Sequence, residues 1–255
     1  MAQLSKRDKI KEEKNYFDIS DAGKVRENNE DAHLIIDEQL FIVADGMGGH
    51  KGGEVASRMA VNGISDYLNS SVNRYLKNSP YFVKKAINDA IIKTNENILI
   101  QSQQDSALSG MGTTVVAAFK MNQKIVYAHV GDSRLYKFSS DTIEQLTKDH
   151  SEIQGLIDRG IISKEDARDH PRKNVISQAV GTSSKIKVDT DITKMNQGDI
   201  LLLCTDGLTD MVEDDQLLKI VNQNKSESLE KIGKEMMTEA LTNGGLDNIT
   251  LVLIS

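Results

Sequence analysis

Acidic residues stand at strand-like ends or tight turns in five places: Glu30 and Asp31 in "RENNED", Asp45 in "ADGMGG", Asp132 in "VGDSR", Asp206 in "CTDGLTD" and Asp247 in "GGLDNIT". A lone Asp-Gly is ordinary turn chemistry, and Asp or Asn near Gly often caps a helix. As a set they point elsewhere, because strands ending in carboxylates can bring them to one rim of a sheet. Two such charges ~5 Å apart repel by roughly 3 kcal/mol at an effective dielectric of ~20. Several such pairs would threaten a fold stable by only ~5–15 kcal/mol. Bound divalent cations remove that repulsion, and all-oxygen ligands suit hard ions such as Mg2+ and Mn2+. The sequence has no Cys/His cluster of the kind a structural zinc site uses.

The elements that must position these residues are legible from periodicity. "YFDIS", "AHLIID" and "LFIVAD" read as strands separated by polar turns. Two helices follow the glycine-rich loop: Val55, Met59, Ile64 and Leu68 recur at helical intervals, as do Val83, Ile87, Ile91 and Ile98 after Pro80. Strands return in "GTTVVAAFK" and "KIVYAHVGD", and "RLYKFS" with "TIEQLT" reads as a hairpin. A polar stretch over about 148–172 carries two short helical patterns. Then come the strands "KVDTDIT" and "DILLLCTD", two helices between about Glu213 and Leu241, and the strand "NITLVLIS". Strands arrive in antiparallel groups and helices in pairs, so a doubly wound parallel sheet is disfavoured and two face-to-face sheets with helices outside are expected.

Composition narrows the function class. The 255-residue chain has 38% hydrophobic residues, enough for a core at this length. A net charge of −7 argues against nucleic acid as the main ligand. The single cysteine, Cys204, excludes a disulfide framework and fits a reducing compartment. No apolar run approaches the ~20 residues that span a membrane, and "MAQLSKRDKIKEEKN" has no signal-peptide core. Residues 1–15 are expected to be a charged, poorly ordered lead-in, residues 16–255 one domain, and the protein a cytoplasmic monomer.

The chain resembles the bacterial metal-dependent Ser/Thr protein phosphatases of the PPM (type 2C) family. The resemblance rests on ordered blocks: "GKVRENNED" (23–31), "VADGMGGHKGGEVAS" (43–57), "GMGTT" (110–114), "VGDSRLY" (130–136), "ISQAVG" (176–181), "LLLCTDGLTDMV" (201–212) and "DNITLVLI" (247–254). It implies an α+β fold, a four-layer α-β-β-α sandwich of two antiparallel sheets flanked by helix pairs with the metal centre at one rim. It implies two Mn2+ or Mg2+ ions. Asp45 would bridge them with the Gly46 carbonyl on one, Asp206 and Asp247 would hold the other, and Glu30 and Asp31 would support the second ion directly or through water. Asp132 with Asp206 matches a weaker third site. Arg26 matches the arginine that binds the substrate phosphate, and residues near 148–172 fall where the family carries a flap. The implied reaction is hydrolysis of phosphoserine and phosphothreonine in proteins, the products of a Ser/Thr kinase, by a metal-bridging water and without a phosphoenzyme.

Some positions depart from the family pattern or act as decoys. A histidine found two residues after the bridging Asp in many eukaryotic relatives is here Met47, and His50 lies three residues on, either protonating the leaving group or, the preferred reading, bracing the loop. Cys204 is read as a bystander, since a cysteine-dependent phosphatase needs Arg six positions later and Asp210 stands there. "DTDIT" (189–193) matches a haloacid-dehalogenase nucleophile motif but follows an alternating strand, "KIKV", with no helix after it, and is rejected. "GMGGHKGG" fits neither nucleotide-loop spacing. His129 reads as a packing residue, while His33, His150 and His170 carry no signal. The rival readings are an inactive binding module of the same family and a hydrolase of small phosphoesters.

Overall fold

A computed structural model describes residues 14–48, 51–71, 79–167 and 170–255. The lead-in is therefore outside the described residues as far as residue 13, as is His50. One sheet contains β1 (Tyr16–Asp21), β7 (Arg134–Ser139), β8 (Thr142–Gln145), β10 (Ile200–Cys204) and β11 (Ile249–Ile254), in spatial order β1-β11-β10-β7-β8. The other contains β2 (Asp31–Ile36), β3 (Leu40–Met47), β5 (Val115–Met121), β6 (Lys124–Val130) and β9 (Asp189–Lys194), in that order, with β4 (Gly112–Thr113) paired to the end of β3. Every pairing is antiparallel.

Period-two alternation assigns each strand's two faces to different layers. On β3, Leu40, Ile42 and Ala44 meet the helices α1 (Gly52–Ser71) and α2 (Pro80–Gln104), while Phe41 and Val43 turn to the opposite sheet. On β10, Leu202 and Cys204 pack under α6 (Asp214–Gln223) and α7 (Leu229–Thr242), while Leu201 and Leu203 fill the space between the sheets. Three apolar layers result, and the two central strands are buried on both faces. Each buried Leu or Ile there contributes about 1.5–3 kcal/mol of transfer free energy. The α-β-β-α sandwich of two antiparallel sheets is thus present, with Val83, Ile87, Ile91 and Ile98 all buried. Val55 and Met59 are only partly buried, and Ala56 and Ala60 take the innermost positions of α1.

Three local expectations need correction. "GTTVVAAFK" is interrupted at Thr114, which separates β4 from β5 because its hydroxyl bonds Asp45 and Ser133. "KIKV" is not a strand, and the expected strand in "KVDTDIT" begins only at Asp189 as β9, a sheet edge that among the described residues pairs with β6. The Asp45-Gly46 pair is not a turn but lies inside β3, and Asp206-Gly207 opens a one-turn helix, α5 (Asp206–Thr209). Residues 148–172 hold α3 (Glu152–Asp158) and α4 (Lys164–Ala167).

Candidate metal centre

β3, β6 and β10 end, and β2, β7 and β11 begin, at the same rim, so the antiparallel register gathers their terminal residues. Asp31 is the cross-strand partner of Asp45. A polar framework fixes them. The Asp45 N–H donates to Thr114 Oγ1 at 3.0 Å, and its carbonyl accepts from the Thr114 N–H and the Thr113 hydroxyl, each at 2.8 Å. Thr114 is held by Ser133 at 2.6 Å, which joins β5 to the turn bearing Asp132. The Thr205 hydroxyl donates to Asp31 Oδ2 at 2.9 Å and accepts from the Thr250 N–H at 3.0 Å. Asn248 accepts from the Glu30 N–H at 2.8 Å and donates to the carbonyls of Ala22 and Asn28 at 3.0 and 2.9 Å, tying the 22–30 loop to the start of β11. Gly46 has no room for a side chain: a Cβ would lie 2.1 Å from the Gly53 carbonyl oxygen.

The resulting electrostatics are adverse. Burial, then the charges of Asp206 and Asp31, holds Asp45 well above the usual carboxylate range. Burial followed by the Asp206 charge pushes Asp132 up to about 8. Asp31 is pushed up to about 7 by burial, against the hydroxyls of Thr250 and Thr205. Asp206 is pushed up to about 6 by burial and the Asp210 charge. Among the described residues, Asp31 Oδ1 and Asp206 Oδ1 are buried with no hydrogen-bond partner. An orphaned buried acceptor costs about 1–3 kcal/mol, more when charged. A hard divalent cation satisfies such a donor set: it takes oxygen ligands, offsets the shared charge and occupies the bare lone pairs. Asp31, Asp45 and Asp206 are each half-buried.

The remaining candidates lie around this cluster. Glu30 sits at its edge, its pKa raised by burial. Asp247 accepts from Arg26 Nη2 at 2.7 Å, an ion pair whose side chains are 37% and 54% exposed. Arg26 therefore stands at the mouth, paired rather than buried. Asp210, notable in the sequence only as the place of a missing arginine, pairs with Lys173 of the residues beyond α4 at 3.0 Å. Cys204 faces the α6–α7 side, away from the rim, and burial pushes its thiol up. The framework residues Thr113, Thr114, Ser133, Thr205 and Asn248 were not singled out from sequence. Their signal was adjacency: each lies within two residues of a rim carboxylate or in "GMGTT".

A family model for protein phosphatase 2C matches residues 23–243. The chain is 39% identical over 239 residues to the serine/threonine phosphatase stp of Listeria welshimeri, covering 92% of this chain and 93% of that protein. Its fold is similar to the crystal structure of serine/threonine phosphatase Stp1 from Staphylococcus aureus, with a TM-score of 0.85, 34% identity and 94% of each chain covered. It is also similar to the catalytic domain of serine threonine protein phosphatase PstP in complex with two manganese ions, with a TM-score of 0.79, 31% identity and 93% and 96% of the chains covered.

Proposed function

The chain belongs to the protein phosphatase 2C family, and we propose that its carboxylate rim is the centre at which it removes phosphate from phosphoserine and phosphothreonine in proteins. The observation that carries this reading is the pair of orphaned oxygens, Asp31 Oδ1 and Asp206 Oδ1, inside a set of four mutually repelling aspartates. Two Mn2+ or Mg2+ ions would be held by Asp45, the Gly46 carbonyl, Asp206 and Asp247, with support from Glu30 and Asp31, and a weaker third by Asp132 and Asp206. When bound, the cations supply Lewis acidity, lowering the pKa of water toward neutrality and drawing charge from phosphate oxygens. Cys204, the single cysteine, is fully buried on the helix side, which argues against a thiol nucleophile and supports attack by water without a phosphoenzyme. Hydroxyl framework bonds keep the carboxylates from reorganising as charge develops. The substrates are products of a Ser/Thr kinase, and the protein acts as a cytoplasmic monomer. No described helix is long and apolar enough to cross a membrane.

The test is hydrolysis of phosphothreonine, phosphoserine and phosphotyrosine peptides beside a small aryl phosphate. Chelation is expected to abolish turnover, Mn2+ or Mg2+ to restore it, and Cys204→Ser to remain active. A folded but inactive Cys204→Ser protein would overturn the reading. Inactivity with every ester and metal would point to the binding-module alternative, and preference for the aryl phosphate to the small-ester hydrolase.

Arg26 would take the phosphate. Its exposed pair with Asp247 contributes at most about 1 kcal/mol, so the guanidinium can leave it readily. A forked guanidinium suits bidentate phosphate contact better than an ammonium does. Arg26→Ala is expected to raise KM for phosphopeptides about tenfold, equivalent to about 1.4 kcal/mol, with nearly unchanged metal affinity. An unchanged KM counts against the assignment. Asp132→Ala is expected to lower kcat while calorimetry still counts two bound Mn2+. Near-normal kcat with one ion fewer would make the third site incidental, and loss of all metal would place Asp132 in the main centre.

A further inference from the structure

Near the end of β6, two histidines and an aspartate come together from three separate segments. His129 is on β6, and its cross-strand partner on β9 is Asp189. His150 follows β8 and opens the polar stretch that contains α3 and α4; its backbone is fixed by bonds to the Gly131 carbonyl at 2.9 Å and from the Ser177 N–H at 2.7 Å. The two imidazoles stack with centroids 4.7 Å apart and planes 30° apart. One ligand atom from each of His129, His150 and Asp189 lies within 4.8 Å of the other two.

The hydrogen bonds fix the state of His129. Its Nε2 faces the Lys148 carbonyl at 2.8 Å, which only an N–H can satisfy. Nδ1 is then a bare lone pair, buried with no partner among the described residues in a residue 3% exposed. An unpartnered buried acceptor costs about 1–3 kcal/mol, and packing alone would be served by an apolar residue. Burial also holds the ring below its usual pKa, so it is the neutral imidazole that metals bind. The Lys148 carbonyl on the far nitrogen is the outer partner that metal-binding histidines usually have.

The other two groups are loosely held by comparison. His150 Nδ1 accepts from the Gly131 N–H at 3.3 Å, so Nε2 carries the ring proton and donates to Asp189 Oδ2 at 3.3 Å; to ligate through Nε2 the ring would shift that proton to Nδ1 and give up the long Gly131 bond. Asp189 gives its other oxygen to Lys187 at 2.7 Å, and 34% of its side chain is exposed, which leaves a route from solvent. Zinc–nitrogen bonds of about 2.0–2.1 Å put tetrahedral ligands roughly 3.4 Å apart. The present spacing therefore asks for small movements of groups whose own contacts are long.

We propose that His129, His150 and Asp189 form a second metal site, separate from the carboxylate rim, for one borderline transition cation such as Zn2+, with water completing the coordination. Two imidazoles and one carboxylate select against Mg2+ and favour zinc-like ions. A bound ion would join β6, the sheet-edge strand β9 and the base of the 148–172 stretch, adding a crosslink where that stretch leaves the sheet. The site does not depend on the function assigned to the rim.

The probe is Co2+, whose visible absorption reports nitrogen coordination, titrated into the full chain with the rim saturated by Mg2+. One Co2+ per chain is expected, with an absorption band, displacement by Zn2+ and a rise in thermal midpoint. Asp189→Asn and His129→Gln should each weaken it at least about tenfold. Should the buried His129→Gln variant fail to fold, Asp189→Asn at the sheet edge decides alone. No Co2+ uptake beyond what excess Mg2+ displaces, or the same band and affinity in the variants, overturns the site and leaves the rim reading untouched.

Discussion

Asp45→Asn should abolish metal-dependent turnover and, in the same preparation, raise the thermal midpoint of the metal-free protein. The two effects have opposite signs because, on the proposed assignment, the carboxylate would serve the loaded centre and burden the empty one. In the metal-free fold Asp45 either carries charge beside Asp206 and Asp31 or retains a proton that the unfolded chain gives up. Each alternative lowers stability above the ordinary carboxylate pKa, and an amide removes both. The backbone bonds of Asp45 to Thr113 and Thr114 do not involve its side chain and survive the change. Relief of about 1–3 kcal/mol would raise the midpoint by roughly 3–10 °C for a chain of this size. An amide binds a hard cation far more weakly than a carboxylate, so kcat for a phosphothreonine peptide should fall by more than about a thousandfold. Melting in chelator near neutral-to-basic pH and Mn2+-dependent turnover are the two measurements. Retained activity above about a tenth, or a lower metal-free midpoint, would remove Asp45 from the centre.

Layer structure was legible in the sequence because it follows from periodicity. Strand alternation such as Leu201/Leu203 against Leu202/Cys204 assigns faces without knowledge of partners. The carboxylates were legible for a different reason: each is punctuated by glycine or by a strand end, and a set of them raises an energetic problem that one does not. Contacts between distant segments left weaker traces. Asn248 holds the 22–30 loop through three hydrogen bonds, yet in sequence it is one polar residue after Asp247. His129 looked like strand packing and His150 like nothing, because their meeting depends on a return of the chain after β8 that no local pattern encodes. "KIKV" failed for a related reason. Its alternation suits a strand, but β6 offers its free edge only from Asp189 onward.

Raising the pH should destabilise the metal-free protein across a range where most carboxylate-rich proteins gain stability. Asp206, Asp31 and Asp132 are raised to about 6, 7 and 8, and Asp45 is raised as well. A carboxyl whose folded pKa exceeds its unfolded value binds more protons folded than unfolded. Its contribution is fully present below about pH 4 and is lost as pH rises through the folded value. The window therefore runs from about pH 4 to about pH 8. Each tenfold gain in proton affinity on folding corresponds to about 1.4 kcal/mol per group, reduced here where Asp31, Asp45 and Asp206 are only half-buried, and the aspartates titrate as one coupled set. A net loss of several kcal/mol lowers the midpoint by roughly 10 °C in chelator. Two opposing contributions are separable. Asp158, Asp189 and Asp199 are held below the usual range, so their stabilisation is present above about pH 4 and lost only on acidification below it. His129, held low, adds stability as pH rises, but only up to its unfolded value near about 6.5. The clearest fall should thus lie above that point. Saturating Mg2+ should flatten or invert it, because cations and protons compete for the same oxygens and the cation gains as protons become scarce. A metal-free midpoint that stays level or rises from about pH 6.5 to about pH 8 would mean that the carboxylates are ionised without mutual penalty, and the physical case for a cation-requiring rim would fail.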